Sequence, residues 1–298
     1  MDLFLTILVD GLIYASWLFI VALGLTLIFG VLRILNIAHG SLYAIGAYAA
    51  ASAVAFTNGL GLPPAFGLLA MLIAAMAVAV TVAPLLERGL LRLFYGRDEV
   101  LVLLVTYAVF LILEDVTKLI WGVSPYYVIE PRMLFGNVMA GDLFYAGYDL
   151  ALIGLAVFCG IVVWLGLNRT VQGKIVLAVI HNRDIAAAMG VNVTRVYLLA
   201  FTLGVFLAAL GGAFTSPLIS VQPGISVTVI VASFAVVIIG GLGSIAGAAI
   251  GALIVGLARV WAIYEFPAAE IFVIYLVMAL VLVVRPQGLF ARPEPRKI

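Results

Sequence analysis

The sequence predicts an all-α protein, a polytopic bundle of about eight transmembrane helices in which glycine-rich segments are broken or re-enter the membrane. Of its 298 residues, 66% are hydrophobic and only 10% are charged. The mean hydropathy of +1.31 is far above the range of soluble domains. Apolar runs of about 20 residues, long enough to cross a bilayer, recur along the chain. We therefore expect one transmembrane domain over residues 1–298.

Eight apolar segments are candidate spans. In chain order they cover residues 3–32, 40–56, 62–86, 100–121, 150–167, 196–214, 229–258 and 271–284. The last has only fourteen residues between Glu270 and Arg285, so it must thin the membrane or let its charged flanks snorkel. No Lys or Arg precedes the first apolar run, so we expect this run to remain as a span rather than to be cleaved as a signal peptide.

The uncharged run 196–258 is too long for a single crossing. Its 63 residues would form a helix of about 95 Å, roughly three hydrocarbon thicknesses. Two segments rich in helix-breaking residues interrupt it, SPLISVQPG at 216–224 and GGLGS at 240–244. One crossing plus a re-entrant hairpin with GGLGS near its tip fits the sequence, and so do three short crossings.

The basic residues predict the orientation. Twelve of the fifteen lie around Arg33, in residues 87–99 and 168–195, and in the tail from Arg285. The positive-inside rule places such segments in the cytoplasm. We therefore expect a multi-pass protein of the inner (cytoplasmic) membrane with its amino terminus outside and its carboxy terminus inside. The basic residues left on the outer side are Lys118, Arg132 and Arg259.

Polar residues interrupt the apolar run 25–48. Asn36, His39 and Ser41 surround Gly40 in a stretch that is otherwise hydrophobic enough to cross a bilayer. Within a membrane, a buried polar group without a partner is costly. These side chains either line an aqueous path, or cap a helix end and bond to a neighbouring carbonyl, and both alternatives are open.

A related pattern occurs in the GGLGS segment. Gly243-Ser244 begins a small-residue helix, as Gly40-Ser41 does. Interrupted helices of internal repeats often meet near the substrate path of transporters, and chance similarity between two Gly/Ala-rich helices is the alternative. On the first interpretation, the candidates for the translocation pathway are Asn36, His39, Gly40, Ser41, Gly241, Gly243 and Ser244.

The longest predicted cytoplasmic loop, 168–195, favours a short surface helix. Asn182 or Asp184 can cap its start, and Gly190 can end it in a left-handed turn. Ile185, Ala188 and Met189 would form a narrow apolar face. Such a helix is either a docking surface for another protein or a connector whose apolar face packs on its own spans.

Several kinds of chemistry are not expected. GLNRTVQGKI, at 166–175, has six residues between its glycines and Ile after Lys, whereas a phosphate-binding loop needs four and then Ser or Thr. His39 and His181 are the only histidines and Cys159 is the only cysteine, so we expect no metal site and no disulfide. We also expect no catalytic residues and no cofactor. No nucleic-acid partner is expected, because the charges are balanced and form no basic stripe.

Five ordered blocks resemble a known family. DIAAAMGV looks like the Ala-Ala-x-x-x-Gly loop of ABC importer permeases, the coupling helix that sits in a cleft of the ATPase. More specifically, five blocks resemble, in their order, the permease subunits of branched-chain amino acid ABC importers of the LivH type. They are GLTLIFGVLRILNIAHGSLYAIGAY, HNRDIAAAMGVNVTRV, FLAALGGAF, VVIIGGLGSIAGAAIGALIVG and RPQGLF, from about Gly24 to Phe290. Residues 122–149 match no recognised pattern.

The resemblance implies a function and partners. The chain would be a transport subunit, not an enzyme, that passes branched-chain amino acids delivered by a solute-binding protein. Its implied partners are a second related permease, giving a heterodimer, two cytoplasmic ATPase subunits, a periplasmic or extracellular binding protein, and the lipid bilayer. The implied ATPase-coupling residues are Arg183, Asp184, Ala187, Ala188, Met189 and Gly190. The general motif begins Glu-Ala-Ala, whereas Asp184-Ile185 precedes the alanines here, and urea and short-amide importers share the same blocks.

An ion-coupled secondary transporter is the main rival. It predicts carboxylates deep in the bundle, but the acids inside the spans are Asp10, Glu114 and Asp115, each toward an outer end. Glu114 and Lys118 are i to i+4 neighbours, and we predict that they form an ion pair. An intramembrane enzyme would need paired aspartates or a Ser/His constellation, and the sequence contains neither.

Overall fold

The computed structural model describes residues 2–140 and 143–290. This part of the chain forms a bundle of α-helices with one small β-hairpin, which confirms the predicted fold class. The helices are α1 (Asp2–Leu32), α2 (His39–Gly59), α3 (Ala65–Gly89), α4 (Glu99–Trp121), α5 (Glu130–Met133), α6 (Gly147–Arg169), α7 (Val171–His181), α8 (Arg183–Ala188), α9 (Val193–Thr215), α10 (Ile225–Gly240), α11 (Ile245–Glu265) and α12 (Glu270–Val284). The strands are β1 (Asn137–Ala140) and β2 (Leu143–Ala146). Residues 291–298, which end the predicted cytoplasmic tail, lie outside the described residues.

The helix lengths agree with most of the predicted spans. In the described part of the chain, seven helices are long and apolar enough to cross a membrane: Leu3–Leu32, His39–Gly59, Ala65–Phe94, Glu99–Trp121, Gly147–Arg169, Val193–Thr215 and Ile245–Glu265. The predicted span 229–258 is wrong as a continuous helix, because GGLGS divides it into α10 and α11. At 1.5 Å per residue, the 16 residues of α10 extend about 24 Å, less than the hydrocarbon thickness of about 30 Å.

Helix α1 lies at the centre of the bundle and packs against α9 and α11 in antiparallel fashion. The end of α1 near Gly30 meets Gly243, just before α11, and its beginning near Gly11 meets Leu257. Small residues allow this packing: a Cβ on Gly24 would lie 2.5 Å from the carbonyl oxygen of Gly204 in α9. Close backbone approach of this kind is how helices associate in lipid, where no hydrophobic effect draws them together.

Helix α2 packs against α9 with equally little space. A Cβ on Gly212 would collide with the carbonyl oxygen of Tyr43, and one on Gly46 would collide with the backbone of Ala209. The three helices α1, α2 and α9 therefore form a unit with backbones in direct contact.

The hairpin and two ion pairs lie at the end of the bundle where α1 begins. Arg132 is bound by the carboxylate of Asp149 at 2.6 Å, and Arg259 by that of Glu270. Strands β1 and β2 pair antiparallel. They fall within the stretch 122–149 for which the sequence suggested no pattern.

Candidate functional site

Helix α8 is a six-residue helix between α7 and α9. The Asn182 side-chain oxygen accepts hydrogen bonds from the backbone N–H groups of Asp184 at 3.1 Å and Ile185 at 3.0 Å. Gly190 follows the helix with a φ of +86°, in the left-handed region that glycine adopts without a Cβ penalty. The predicted surface helix is therefore confirmed, with Asn182 rather than Asp184 as its cap.

The apolar face of α8 is uncovered. Ile185 is 62% exposed and Met189 is 81% exposed, and Ala188 beside them is also exposed. Within residues 183–190 only Ala186 is buried. The connector alternative, in which this face packs against the chain's own spans, does not fit these exposures, and the uncovered face has the character of a contact surface.

Short, stiff links join α8 to the bundle. The Arg183 guanidinium carbon lies 5.8 Å from the centroid of the Tyr197 ring in α9. Asn192 caps α9 by accepting a hydrogen bond from the Arg195 N–H at 3.1 Å. Arg183 at the start of α8 is therefore in contact with α9.

The first break in the helices, residues 33–38, joins α1 to α2 inside the bundle. Arg33 has a φ of +56°, a strained conformation for a residue with a Cβ. The Thr106 hydroxyl of α4 donates to the Leu35 carbonyl at 3.1 Å and accepts the Ile37 N–H at 3.3 Å. One threonine thus satisfies two backbone groups that the interruption of the helix leaves free.

The polar side chains predicted in this region lie together and are buried. His39 Nε2 donates to the Val21 carbonyl at 3.0 Å, which requires the proton to be on Nε2, and Ser41 donates to the Phe110 carbonyl at 3.2 Å. Within residues 2–140 and 143–290, the buried atoms Asn36 Nδ2 and His39 Nδ1 have no hydrogen-bond partner. Two of these polar atoms therefore bond to carbonyls, as one alternative predicted, and two others have no partner in the described part of the chain.

The second break, residues 241–244, lies elsewhere along α1. Ser244 caps α11 by accepting the Gly247 N–H at 3.1 Å. The backbone N–H groups of Leu289 and Phe290 donate to the Ile239 and Gly240 carbonyls, so the RPQGLF tail covers this turn. Gly243 of the second break approaches Gly30 of α1, whereas His39 of the first break contacts Val21 of α1. Gly30 lies nine residues after Val21. Nine helical residues correspond to about 14 Å, so the predicted pathway residues form two groups at different levels of α1.

The predicted Glu114–Lys118 ion pair is wrong. Lys118 pairs with Asp115 at 3.1 Å. Glu114 instead accepts the Gly224 N–H at 2.8 Å and the Ser226 hydroxyl, at the start of α10. The first turn of a helix has free N–H groups and a positive dipole end, so a carboxylate is more strongly bound there than by an exposed lysine one turn away.

Comparison with known proteins places the chain in a family. A family model described as "Branched-chain amino acid transport system / permease component" matches residues 7–284. The chain belongs to this family. The matched region contains α8 and both breaks, so the site described above is part of the permease fold rather than an addition to it.

Relatives of this permease are similar over nearly their whole length. It is 27% identical over 308 residues to the high-affinity branched-chain amino acid transport system permease protein BraD of Pseudomonas aeruginosa, covering 98% of this chain and 97% of that protein. It is 27% identical to LivH of Salmonella typhimurium, with 99% and 98% covered. A chain of the solved PsaBC from Streptococcus pneumoniae in complex with Fab is 18% identical, with 92% and 89% covered and a TM-score of 0.45. The resemblance to LivH-type permeases is confirmed, and the urea or short-amide alternative is not favoured.

Three residues of this permease site were not found from the sequence. Thr106 is an unremarkable threonine in an apolar run, Arg33 was noted only for its charge, and Glu114 was assigned the wrong partner. The one available signal was that Glu114 is a carboxylate inside a span, where such a group requires a partner.

Proposed function

We propose that this permease is the membrane-spanning subunit of an ATP-driven importer, and that it passes branched-chain amino acids delivered by a solute-binding protein across the inner membrane. The observation that carries the proposal is the uncovered apolar face of α8 at Ile185 and Met189, within the segment that resembles a coupling helix. A separate ATPase would bury this face. On this proposal the contacts are made by Arg183, Asp184, Ala187, Ala188, Met189 and Gly190.

The packing of α9 supports a route from α8 to the interior. A Cβ on Gly204 would lie 2.9 Å from the Gly24 carbonyl oxygen of α1, and one on Gly212 would lie 3.0 Å from the Ala47 nitrogen of α2. Helices in backbone contact have no flexible side chains between them to absorb a displacement. A tilt of α9 would therefore move α1 and α2, and with them the first break.

The unpaired polar atoms of the first break support a role in the pathway. His39 Nδ1 can accept a proton donor such as the ammonium of an amino acid, and Asn36 Nδ2 can donate to its carboxylate. Buried polar atoms without partners are rare in folded proteins and call for an explanation. We infer that Asn36, His39, Gly40 and Ser41 meet the cargo in another state of the cycle, and that Gly241, Gly243 and Ser244 form a second constriction.

The proposed assembly contains a second related permease, two cytoplasmic ATPases and an external solute-binding protein. The amino terminus would lie outside and the carboxy terminus inside. Lateral faces of α3, α4 and α6 carry many exposed apolar residues, among them Leu72, Leu104 and Phe158. These faces suit contact with lipid or with the second permease.

The proposal is tested by measuring which energy source drives uptake. Vesicles that contain the whole assembly and enclose ATP should accumulate leucine, isoleucine and valine when the binding protein is added outside. Uptake should persist with proton and sodium ionophores and stop when ATP is removed, and excess urea should not compete. Accumulation by this chain alone, or loss of uptake with ionophores while ATP is present, would contradict the assignment.

Glu114→Ala should impair transport by releasing α10 from α4. The Gly224 N–H and the Ser226 hydroxyl would lose their partner, at a cost of about 1–3 kcal/mol, which is about 5- to 150-fold in an equilibrium constant. We expect a decrease in uptake within this range, of about tenfold. Uptake and thermal unfolding in detergent are the measurements.

Asp115→Ala is the matched control for this prediction. It removes the neighbouring carboxylate, whose partner is Lys118 on the surface. Exposed ion pairs contribute little, so uptake should stay close to that of the unmodified chain. Equal losses for the two variants would show that the bonds to α10 are not the cause.

A further inference from the structure

A cavity of about 350 Å³ opens at the end of the bundle where α1 ends and α4 begins. Its lining comes from residues 29–35 at the end of α1, from 94–97, Glu99 and Val102, from the end of α7, and from Arg183 and Tyr197. It therefore lies between the first residue of α8 and the first break. On the proposed topology, helix ends such as these lie at the level where a membrane meets water.

The polar side of the cavity is basic. Arg33, Arg97 and Arg183 line it, with Glu99 as the one acidic residue of the lining. None of the three ion pairs in residues 2–140 and 143–290 includes these arginines. The cavity thus presents three guanidinium groups without a carboxylate bound to them, the arrangement that binds phosphate groups.

The Arg33 backbone and the Arg183 side chain are held by contacts in the fold. Arg33 has left-handed backbone geometry, and the bonds of Thr106 to the next residues keep the chain in that path. The Arg183 guanidinium packs over the Tyr197 ring. Defined positions reduce the entropy lost when a ligand is bound.

The buried carboxylate of Glu87, near the cavity, accepts a hydrogen bond from a tyrosine. The Tyr95 hydroxyl donates to Glu87 at 2.8 Å. Burial, and then this hydrogen bond, raise the pKa of Tyr95, so the phenol keeps its proton and remains a donor to the carboxylate. Glu87 is not part of the lining, and the charge of the lining itself remains positive.

The rest of the cavity lining is largely apolar. Phe29, Ile34, Leu35 and Val102 belong to it, and Leu35 is 37% exposed. Exposed apolar residues continue from these onto the surface of α4, where Leu101 and Leu104 lie. A free phosphate ion has no apolar group to contact such a surface, whereas a phospholipid has both a phosphate and acyl chains.

We propose that this cavity binds the headgroup phosphate of an anionic phospholipid through Arg33, Arg97 and Arg183, with the acyl chains along Leu35 and α4. The bound lipid joins Arg183, at the start of α8, to Arg33, in the first break. It acts as a structural link between the coupling helix and the interior, and transport requires an anionic lipid.

The proposal is tested by measuring lipid binding to the whole importer, purified in neutral detergent by an affinity tag on this chain. Native mass spectrometry would count bound phosphatidylglycerol, with phosphatidylcholine and inorganic phosphate as separate arms. Each arginine near a membrane surface strengthens binding of an anionic lipid about fivefold, so the double variant Arg33→Gln, Arg97→Gln should bind phosphatidylglycerol about 30-fold more weakly. Arg169→Gln removes an exposed charge outside the cavity lining and should bind as the unmodified chain does.

The outcomes separate the possible ligands. The proposal is supported if phosphatidylglycerol is selectively retained by the unmodified chain, lost in the double variant, and partly retained in the variant Arg33→Lys, Arg97→Gln. Equal binding of phosphatidylcholine, or equal loss in Arg169→Gln, would overturn it. Protection from thermal unfolding by inorganic phosphate alone, equal to that by the lipid, would identify a free-anion site instead and would also overturn it. If the double variant does not assemble, the same comparison with Arg97→Gln alone decides.

Discussion

Ile185→Asp combined with Met189→Asp is expected to reduce ATP-driven uptake about 100-fold. Each carboxylate would be buried without a partner in the proposed contact with the ATPase, at a cost of about 1.4 kcal/mol or more. The isolated chain should fold and insert normally, because both side chains are largely exposed in it. Uptake, ATPase activity and the amount of ATPase that co-purifies with the chain are the measurements.

The control for this prediction is Val171→Asp. Val171 is 74% exposed on the same connecting segment but lies at the start of α7, outside α8. Its replacement should leave uptake and ATPase co-purification unchanged. Gly190→Val should resemble the double variant, since a β-branched residue does not tolerate a φ of +86° and the end of α8 would be displaced. Normal uptake in the double variant would refute α8 as the docking site.

Gly212→Val is expected to prevent stable folding of the bundle. A Cβ at this position would meet the carbonyl oxygen of Tyr43 and the nitrogen of Ala47, which are backbone atoms that cannot rotate away. Helices α2 and α9 would have to separate, and overpacking of this kind costs about 3 kcal/mol or more. We expect a much lower yield of monodisperse protein and a melting temperature lower by many degrees, measured by fluorescence-detected chromatography and thermal unfolding.

Gly154→Val is the matched control for that replacement. Gly154 is also inside a helix, α6, but nothing lies within 4 Å of where its Cβ would be. Both variants exchange glycine for valine in a helix, so the difference between them measures the α2–α9 contact alone. If both melt at the same temperature, backbone contact does not hold these helices together.

The predictions from sequence succeeded where the relevant interactions are local. Hydropathy over about 20 residues located the long helices, because insertion depends on the composition of each segment. A cap at Asn182 or Asp184 and the turn at Gly190 were predicted because a cap and a left-handed residue act on the two or three residues beside them. The break at GGLGS followed from the same local preference, even though the span drawn through it was wrong.

The predictions failed where the partner lies far along the chain. Glu114 has Lys118 one turn away and Gly224 at a separation of 110 residues, and it binds the distant group. No local rule ranks these two partners, since the choice depends on α10 beginning beside the second half of α4. The hairpin of β1 and β2 was missed because its two four-residue strands have too few residues to show a pattern.

The sequence by itself determined that this chain crosses the membrane many times, where its helices break, and that a short capped helix lies between two spans. Only the tertiary structure decided that the apolar face of that helix is uncovered, that Thr106 and Glu114 hold the interior ends of broken helices, and that three arginines from distant segments share one cavity. The physical reason is the distance along the chain over which each interaction acts. Hydropathy and backbone preferences act along the chain, whereas burial, hydrogen-bond partners and charge clusters depend on which helices pack together.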